Sequence, residues 1–442
     1  MKTVFLGLVW LSVYLGLVLA PLLGLLIGSI PPGRGFWWEF SAALGYSLLS
    51  VMGLQFALTA RFKRATAPFG IDIIYYFHRQ VSVMAFLFLV LHVVFLSRAR
   101  AGYTLGLLNP FTSSWSGRAG LGAMLGIVLI LTSSLWRRRL GIPYERWRLW
   151  HGMLAVTAVS LAVAHVLGLG YYIAAPWKRV LWASYALFWV SLIVYVRLVS
   201  PWMMLRRPYV VEEVRGERGR AWTLALVPLG HEGMGFRPGQ FAWLTLRKSP
   251  FSIEEHPFSF SSSAVRPGRL EFTIKELGDF TSTIKNLRPG ERAYIDGPYG
   301  SFSIDRHPAP GYVFIAGGIG IAPIMSMLRT LADRGSRLPL LLIYATRSLE
   351  NATFLEEIGR LRDKALDLDV AHVLEEPPES NWQGEAGFLS IEMLKRLIPA
   401  DWRGTRHYFI CGPDPMMDAV EKALFKLGVP ITRFHSERFN IV

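Results

Sequence analysis

Six charge-poor apolar runs crowd the first half of this 442-residue chain, at about 4–29, 40–60, 73–97, 119–136, 150–172 and 180–200. A hydrocarbon core about 30 Å thick takes about 20 helical residues to cross, so each run can span once. Lipid offers the backbone no hydrogen-bond partner, and helices satisfy their own. The pattern predicts a six-helix membrane bundle. The first run has only Lys2 ahead of it, outruns a signal-peptide core and meets no good small-residue cleavage site, so it is expected to remain as a span.

Charge follows the same division. Residues 1–202 hold 17 Lys and Arg against three acids, Glu39, Asp72 and Glu145, so nearly all of the net charge of +15 sits there. A nucleic-acid binder would gather basic residues on a face of a soluble domain. Here they punctuate apolar runs, and no nucleic-acid partner is expected. Eleven of the 15 tryptophans share this half, several at run ends (Trp37, Trp38, Trp115, Trp136, Trp177, Trp202), where amphipathic rings favour the interface. The flanks on the side of Lys2, Arg61, Arg137 and Arg206 collect 11 basic residues, and the opposite flanks six. The positive-inside tendency therefore puts the N-terminus and everything beyond residue 203 in the cytoplasm, with a bacterial plasma membrane as the expected location.

A single cysteine, Cys411, excludes an internal disulfide, a cysteine zinc cluster and an iron–sulfur centre, which needs about four thiolates. Redox chemistry would have to use a flavin, a haem or a nicotinamide.

The membrane half has four histidines, His78 and His92 in the third run, His151 and His165 in the fifth, and both pairs are 14 residues apart. Fourteen helical steps separate two rings by about 21 Å and turn them about 40° short of four full turns, so both point to nearly one side. The two spans run in the same direction. His78 is therefore level with His151, and His92 with His165. One intramembrane histidine can serve a helix–helix hydrogen bond; two matched pairs with none left over point to two bis-histidine haems, one near each leaflet. Zinc or copper fits less well, because two ligands per plane leave a metal ion under-coordinated. Arg79 could meet a haem propionate or snorkel to the headgroups.

After Arg206-Arg207-Pro208 the periodicity changes. Short alternating runs at 209–215, 221–228, 240–247, 256–262, 269–276 and 291–296 predict a six-stranded antiparallel barrel. From Tyr312 strand and helix patterns alternate, as in a parallel α/β nucleotide-binding domain. The turn Gly317-Gly318-Ile319-Gly320-Ile321-Ala322-Pro323 lies between a buried strand and a helix, where glycines let backbone N–H groups approach a pyrophosphate.

Four segments in order, His256-Pro257-Phe258-Ser259 through Ser262, Gly278-Asp279-Phe280-Thr281, Gly317–Pro323 and Cys411-Gly412-Pro413, resemble the ferredoxin-reductase-type flavoprotein module. With the four-histidine bundle ahead of it, the chain resembles the NADPH oxidase and ferric reductase superfamily. The resemblance implies that His256, Pro257, Phe258 and Ser259 line the flavin ring and ribityl chain. Ser262, Gly278 and Thr281 would lie near the flavin pyrophosphate, which favours FAD. Gly317, Gly318, Gly320 and Pro323 would hold the nicotinamide dinucleotide's phosphates, and Cys411, Gly412 and Pro413 would sit against the nicotinamide. Phe439 would be the C-terminal aromatic that closes the flavin face, although three residues follow it. Arg347, after the second α/β strand, stands where a 2′-phosphate would lie, which favours NADPH over NADH.

The expected organisation is thus a haem-binding bundle over 1–203, a flavin-binding barrel over 204–307 and a nucleotide-binding α/β domain over 308–442. The expected activity carries electrons from NAD(P)H through FAD and two b-type haems to an outer acceptor, chiefly O2 giving superoxide, with a ferric chelate as the alternative. No EF-hand loop occurs, and no obligatory protein partner is expected.

Overall fold

The computed structural model describes residues 2–62, 70–99, 109–378 and 382–438. Lys63, Arg64 and Arg100, counted above for orientation, and Phe439, expected at the flavin, lie outside the described residues. The chain separates into two compact units, Met1–Pro201 and Trp202–Val442.

The first unit is a helical bundle of α1 (Lys2–Leu25), α2 (Phe36–Thr59), α3 (Ile71–Ala99), α4 (Trp115–Trp136), α5 (Tyr144–Leu169) and α6 (Pro176–Val194). The last continues through a π-helical turn, Tyr195–Val199, to Leu205. All six are long and apolar enough to cross a bilayer. Leu8, Leu15, Leu19, Leu187 and Val190 stand exposed on the outside, apolar surface suited to lipid. Inside, Leu54, Ala85, Leu89, Ile127 and Ala158 form one cluster, and Tyr46, Leu49, Trp182 and Trp189 a second.

Small residues bring these helices close. A Cβ on Gly126 of α4 would stand 3.0 Å from the Ala158 Cβ of α5. Ser114 caps α4 by accepting from the Gly117 N–H, and Gly170 ends α5 in the left-handed region at φ 65°. Lys178, buried at the start of α6, donates from Nζ to the carbonyl oxygens of Leu25 (2.7 Å) and Ser29 (3.2 Å). Its charge thereby meets the negative end of α1.

The second unit contains two six-stranded sheets. The first comprises β1 (Tyr209–Glu217), β2 (Ala221–Pro228), β3 (Phe241–Leu246), β4 (His256–Ser259), β5 (Leu270–Lys275) and β6 (Arg292–Tyr299), in the order β4-β3-β6-β1-β2-β5. Every pairing is antiparallel. The sheet curls around Leu224, Leu244, Phe260, Phe272 and Ile295. Its end strands meet through the isolated bridge Phe260↔Phe272. The expected barrel is therefore a half-barrel whose last seam is a bridge, not a ladder.

The second sheet comprises β7 (Tyr312–Gly317), β8 (Leu340–Thr346), β9 (Leu368–Leu374), β10 (Glu385–Ala386), β11 (His407–Cys411) and β12 (Phe434–Ser436). The order is β10-β9-β8-β7-β11-β12, parallel throughout. The helices α7 (Ile321–Asp333), α8 (Leu355–Lys364), α9 (Ile391–Leu397) and α10 (Asp414–Lys426) accompany it. Separate apolar clusters cover its two faces: Phe314, Leu342 and Phe409 with α7 on one, Val313, Ile343 and Ile410 with α10 on the other. Near-continuous apolar strands are what a sheet buried on both faces requires.

Candidate haem, flavin and nucleotide sites

The helical repeat puts His78 and His92 on α3 and His151 and His165 on α5. The His78 and His151 rings lie 6.4 Å apart between centroids. Two imidazole nitrogens bound on opposite sides of one metal, each at about 2 Å, leave centroids about 6 Å apart, so this pair fits a shared ion.

Each outer ring is pinned in the same way. His92 Nδ1 donates to the Ser41 carbonyl at 2.7 Å, and His165 Nδ1 to the Ser116 carbonyl at 2.8 Å. A carbonyl can only accept, so Nδ1 carries the proton and Nε2 keeps the lone pair, as metal-ligating histidines require. One turn beyond each serine stands a glycine against the ring. A Cβ at Gly45 would reach 3.0 Å from two His92 atoms, and one at Gly120 would reach 2.7 Å from His165 Nδ1. The hairpins α2–α3 and α4–α5 thus repeat one device, Ser-x3-Gly facing a histidine.

The inner pair is held less firmly. Ser134 Oγ donates to the Ile130 carbonyl and accepts from His151 Nδ1 at 3.3 Å. Thr59 stands at the corresponding place in α2, but its hydroxyl donates to the Gln55 and Phe56 carbonyls. His78 Nδ1 is buried with no partner among the described residues. Arg79 is exposed, its side chain on the outside of the bundle. The four rings thus fall into two facing pairs, His78 with His151 and His92 with His165, the side chains that could hold a haem at each level. Ser41, Ser116, Gly45 and Gly120 were not singled out from sequence. Their signal is the Ser-x3-Gly spacing repeated 75 positions apart.

At the expected flavin site, β4 is an edge strand that pairs Pro257 with Trp243 and Ser259 with Phe241. Proline is tolerated there because an edge spares one N–H. The His256 ring stacks on Phe280 at 3.7 Å, and Phe258 lies 6.1 Å from the same ring. Ser259 Oγ is buried without a partner among the described residues, an orphan a bound flavin could satisfy. Ser262 borders a cleft of about 620 Å³ that also includes Ser263, Arg266, Arg329 and Phe354. Its hydroxyl accepts from the Glu271 N–H at 3.0 Å. Thr281 Oγ1 closes its own turn by accepting from the N–H groups of Leu277 (2.8 Å) and Gly278 (2.9 Å). Space is open where a Gly278 side chain would be. Phe280 joins the expected residues as their aromatic neighbour.

At the nucleotide site, parallel pairing of β7 and β11 sets Ala316 beside Cys411 and so brings together two motifs about ninety residues apart. A Cβ on Gly317 would meet the Met416 sulfur and, at 2.8 Å, Pro413 Cδ; one on Gly320 would run into the Cys411 carbonyl. Gly412 lies 3.0 Å from Gly317 by the same measure. Only glycine fits these three places. Gly318 adopts φ +52° with open space beside it, and the Tyr344 hydroxyl donates to its carbonyl at 3.2 Å. Pro323 sits in the first turn of α7, where its missing N–H costs nothing. Cys411 is fully buried, and burial, assisted by Glu437, pushes its thiol well above the ordinary range. Arg347 is exposed and occupied by Glu376, with Nε and Nη2 2.9 and 2.8 Å from Oε1.

Three family models match in succession. Residues 44–162 match the ferric reductase like transmembrane component, 231–303 an FAD-binding domain and 314–422 the oxidoreductase NAD-binding domain. The chain is 35% identical over 207 residues to the stachydrine N-demethylase reductase subunit of Rhizobium meliloti (strain 1021), covering 46% of this chain and 58% of that one. It is 31% identical over 210 residues to the glycine betaine monooxygenase reductase subunit of Chromohalobacter salexigens, covering 46% and 56%. The chain thus spans a little over half the length of these curated relatives. Among solved structures, the ferredoxin reductase in carbazole 1,9a-dioxygenase matches with 25% identity and a TM-score of 0.46, over 53% of this chain and 69% of that one. The second compact unit thus contains a segment like an FAD-binding domain followed by one like an oxidoreductase NAD-binding domain. A ferric-reductase-like membrane component leading into such a module is the order of the NADPH oxidase and ferric reductase-like superfamily, and the three matches together support that superfamily for this chain.

Proposed function

We propose that this protein carries electrons across a bacterial plasma membrane, from cytoplasmic NAD(P)H to an acceptor on the outer face, chiefly O2, which leaves as superoxide. The observation that carries this reading is the double histidine pairing of α3 with α5, each outer Nδ1 tied to a main-chain carbonyl and each Nε2 left with its lone pair. His78 and His151 would hold one haem, and His92 and His165 the other. In the other unit His256, Pro257, Phe258, Ser259, Ser262, Gly278 and Thr281 would bind FAD. Gly317, Gly318, Gly320, Pro323, Gly412 and Pro413 would bind the dinucleotide, with Cys411 behind the nicotinamide as a neutral packing group. When bound, these groups supply the conversion of a hydride's electron pair into single electrons.

The chain's own part is positional. Gly317, Gly320 and Gly412 let main chain approach a phosphate, and the half-buried stack of His256 on Phe280 shapes one wall of the flavin site. His78, His92, His151 and His165 would hold the haems, which would supply single electrons to a small acceptor on the outer face. The working division is 1–203 for haem, 204–307 for FAD and 308–442 for the nucleotide, with the N-terminus and the second unit in the cytoplasm. The match to a ferric reductase like component favours a ferric chelate as the second acceptor.

Anaerobic stopped-flow mixing with NADPH or NADH, followed by an oxygen pulse in the presence of a superoxide-specific probe, tests the reading. Reduction of two haems per chain by the nucleotide, then return of the spectrum to the oxidised form on oxygen admission with matching superoxide, is the expected result. Fewer than two haems per chain, or no haem reduction by either nucleotide, would sink it. Chelate reduction far faster than oxygen consumption would transfer the assignment to the metal reductase.

A further inference from the structure

Three histidines outside all of these sites converge at one side of the nucleotide-binding sheet. His407 opens β11, His435 lies in the middle of β12, and His307 follows the short 3-10 turn Ile304–Arg306 on the segment joining the two sheets. One ring nitrogen from each falls within 4.8 Å of the other two. His407 Nδ1 and His435 Nε2 are 2.8 Å apart, and the His307 and His435 rings stack at 3.6 Å. Parallel pairing of β11 with β12 opposes Phe409 to His435 and fixes the strand pair that carries two of the rings.

We propose that His307, His407 and His435 form a binding site for a divalent transition-metal ion, zinc first, with a water molecule in the fourth position. Imidazole suits zinc, and three nitrogen ligands with one open place are a common zinc environment. Tetrahedral zinc with nitrogens at 2.0–2.1 Å needs them about 3.3 Å from one another, which the 4.8 Å triangle can reach through small side-chain rotations. The 2.8 Å contact is one shared N–H. On metal binding that proton passes to the other nitrogen of its own ring, so each neutral imidazole offers a lone pair and no proton is released. His307 must turn out of its stack, because parallel rings aim their lone pairs side by side. All three rings are half-buried, so an ion can reach them from solvent. Arg306 and Arg433 are the neighbouring cations and oppose the ion's charge. For that reason the site suits a metal held by strong nitrogen bonds and not calcium or magnesium, which depend on anionic oxygen. Occupation would tie the segment between the sheets to the edge strand that leads into the C-terminus.

The test uses the full-length, haem- and FAD-replete protein equilibrated with micromolar free Zn²⁺, then analysed for metal by mass spectrometry and by zinc-edge X-ray absorption. One zinc per chain is expected, with a nitrogen shell at about 2.0–2.1 Å. His407→Ala and His435→Gln should each weaken binding roughly tenfold or more while haem and FAD contents stay constant. Absence of zinc, a first shell containing sulfur or only oxygen, or retention of zinc in both variants would overturn the site and leave an imidazole stack alone. X-ray absorption on the unaltered protein decides the matter even if a variant fails to fold.

Discussion

His165 and Gly120 are in direct contact across the α4–α5 interface: a side-chain carbon on the glycine would stand 2.7 Å from Nδ1 and 2.9 Å from Cε1 of the imidazole. The ring cannot retreat freely, because the same Nδ1 is bonded to the Ser116 carbonyl one turn away. Gly120→Ala should therefore displace the ring at a cost of about 1–3 kcal/mol. Haem content measured as the pyridine haemochrome should fall from two per chain toward one. Full content with an unaltered spectrum would show that the glycine is not required.

Removing a ligand should have a sharper result. His78→Ala and His165→Ala should each abolish the low-spin spectrum of their own plane. Reduction of a soluble dye by NAD(P)H should survive in both, since FAD and nucleotide would bind in the other compact unit. Loss of dye reduction would mean that the two units do not work separately.

The choice between nucleotides turns on Glu376. Its carboxylate occupies the Arg347 guanidinium that a 2′-phosphate would need. Glu376→Gln should free that group and raise kcat/KM for NADPH relative to NADH by roughly threefold to tenfold, a modest change because the pair is exposed. An unchanged ratio from steady-state kinetics would remove Arg347 from the specificity.

Acid should loosen the second unit through a buried ion pair. Burial pushes the Glu357 carboxyl up, but the hydrogen bonds and charge of Arg329 outweigh it and leave the group below its usual range. Arg329 reaches Glu357 through two 2.7 Å bonds and Glu271 at 2.8 Å, and so links α8 to β5. A depressed carboxyl stabilises the fold above its unfolded value, about 4.3, and loses that contribution as pH falls through the folded value. Flavin release should therefore steepen below about pH 4. Arg329→Met should cost about 3–5 kcal/mol at neutral pH and flatten the acid dependence, as followed by flavin fluorescence.

Cys411 should be chemically silent. With its thiol pushed well above the ordinary range by burial, native protein should resist iodoacetamide at neutral pH and react once unfolded. Cys411→Ala should retain NAD(P)H-driven dye reduction. Rapid alkylation of the native protein would contradict the buried placement.

Much of the fold was legible because it rests on local periodicity. Fourteen-residue histidine spacing and apolar runs of about 20 residues read directly as helices, and the strands of the first sheet fell within a few residues of their observed ends. What escaped depends on distant pairing. β10 has two residues and β12 three, too short to carry a pattern, and both exist because a parallel neighbour extends to them. The His307, His407 and His435 cluster is assembled by that same pairing. The serine carbonyls that pin His92 and His165 are main chain, which composition cannot signal. The π-helical turn at Tyr195–Val199 contains neither proline nor glycine, and its one sequence mark is Pro201, two residues further on.

The difference between the two histidine levels has a consequence for how such a protein can diverge. The outer rings are fastened to peptide oxygens, and every amino acid supplies one, so replacing Ser41 or Ser116 changes a side chain without deleting the anchor. Among the described residues the inner rings depend on a single hydroxyl at Ser134 on one side and on nothing comparable on the other. Natural variation can therefore retune the inner level by single exchanges near Thr59 and Ser134, while the outer level is shielded from drift by the polymer itself.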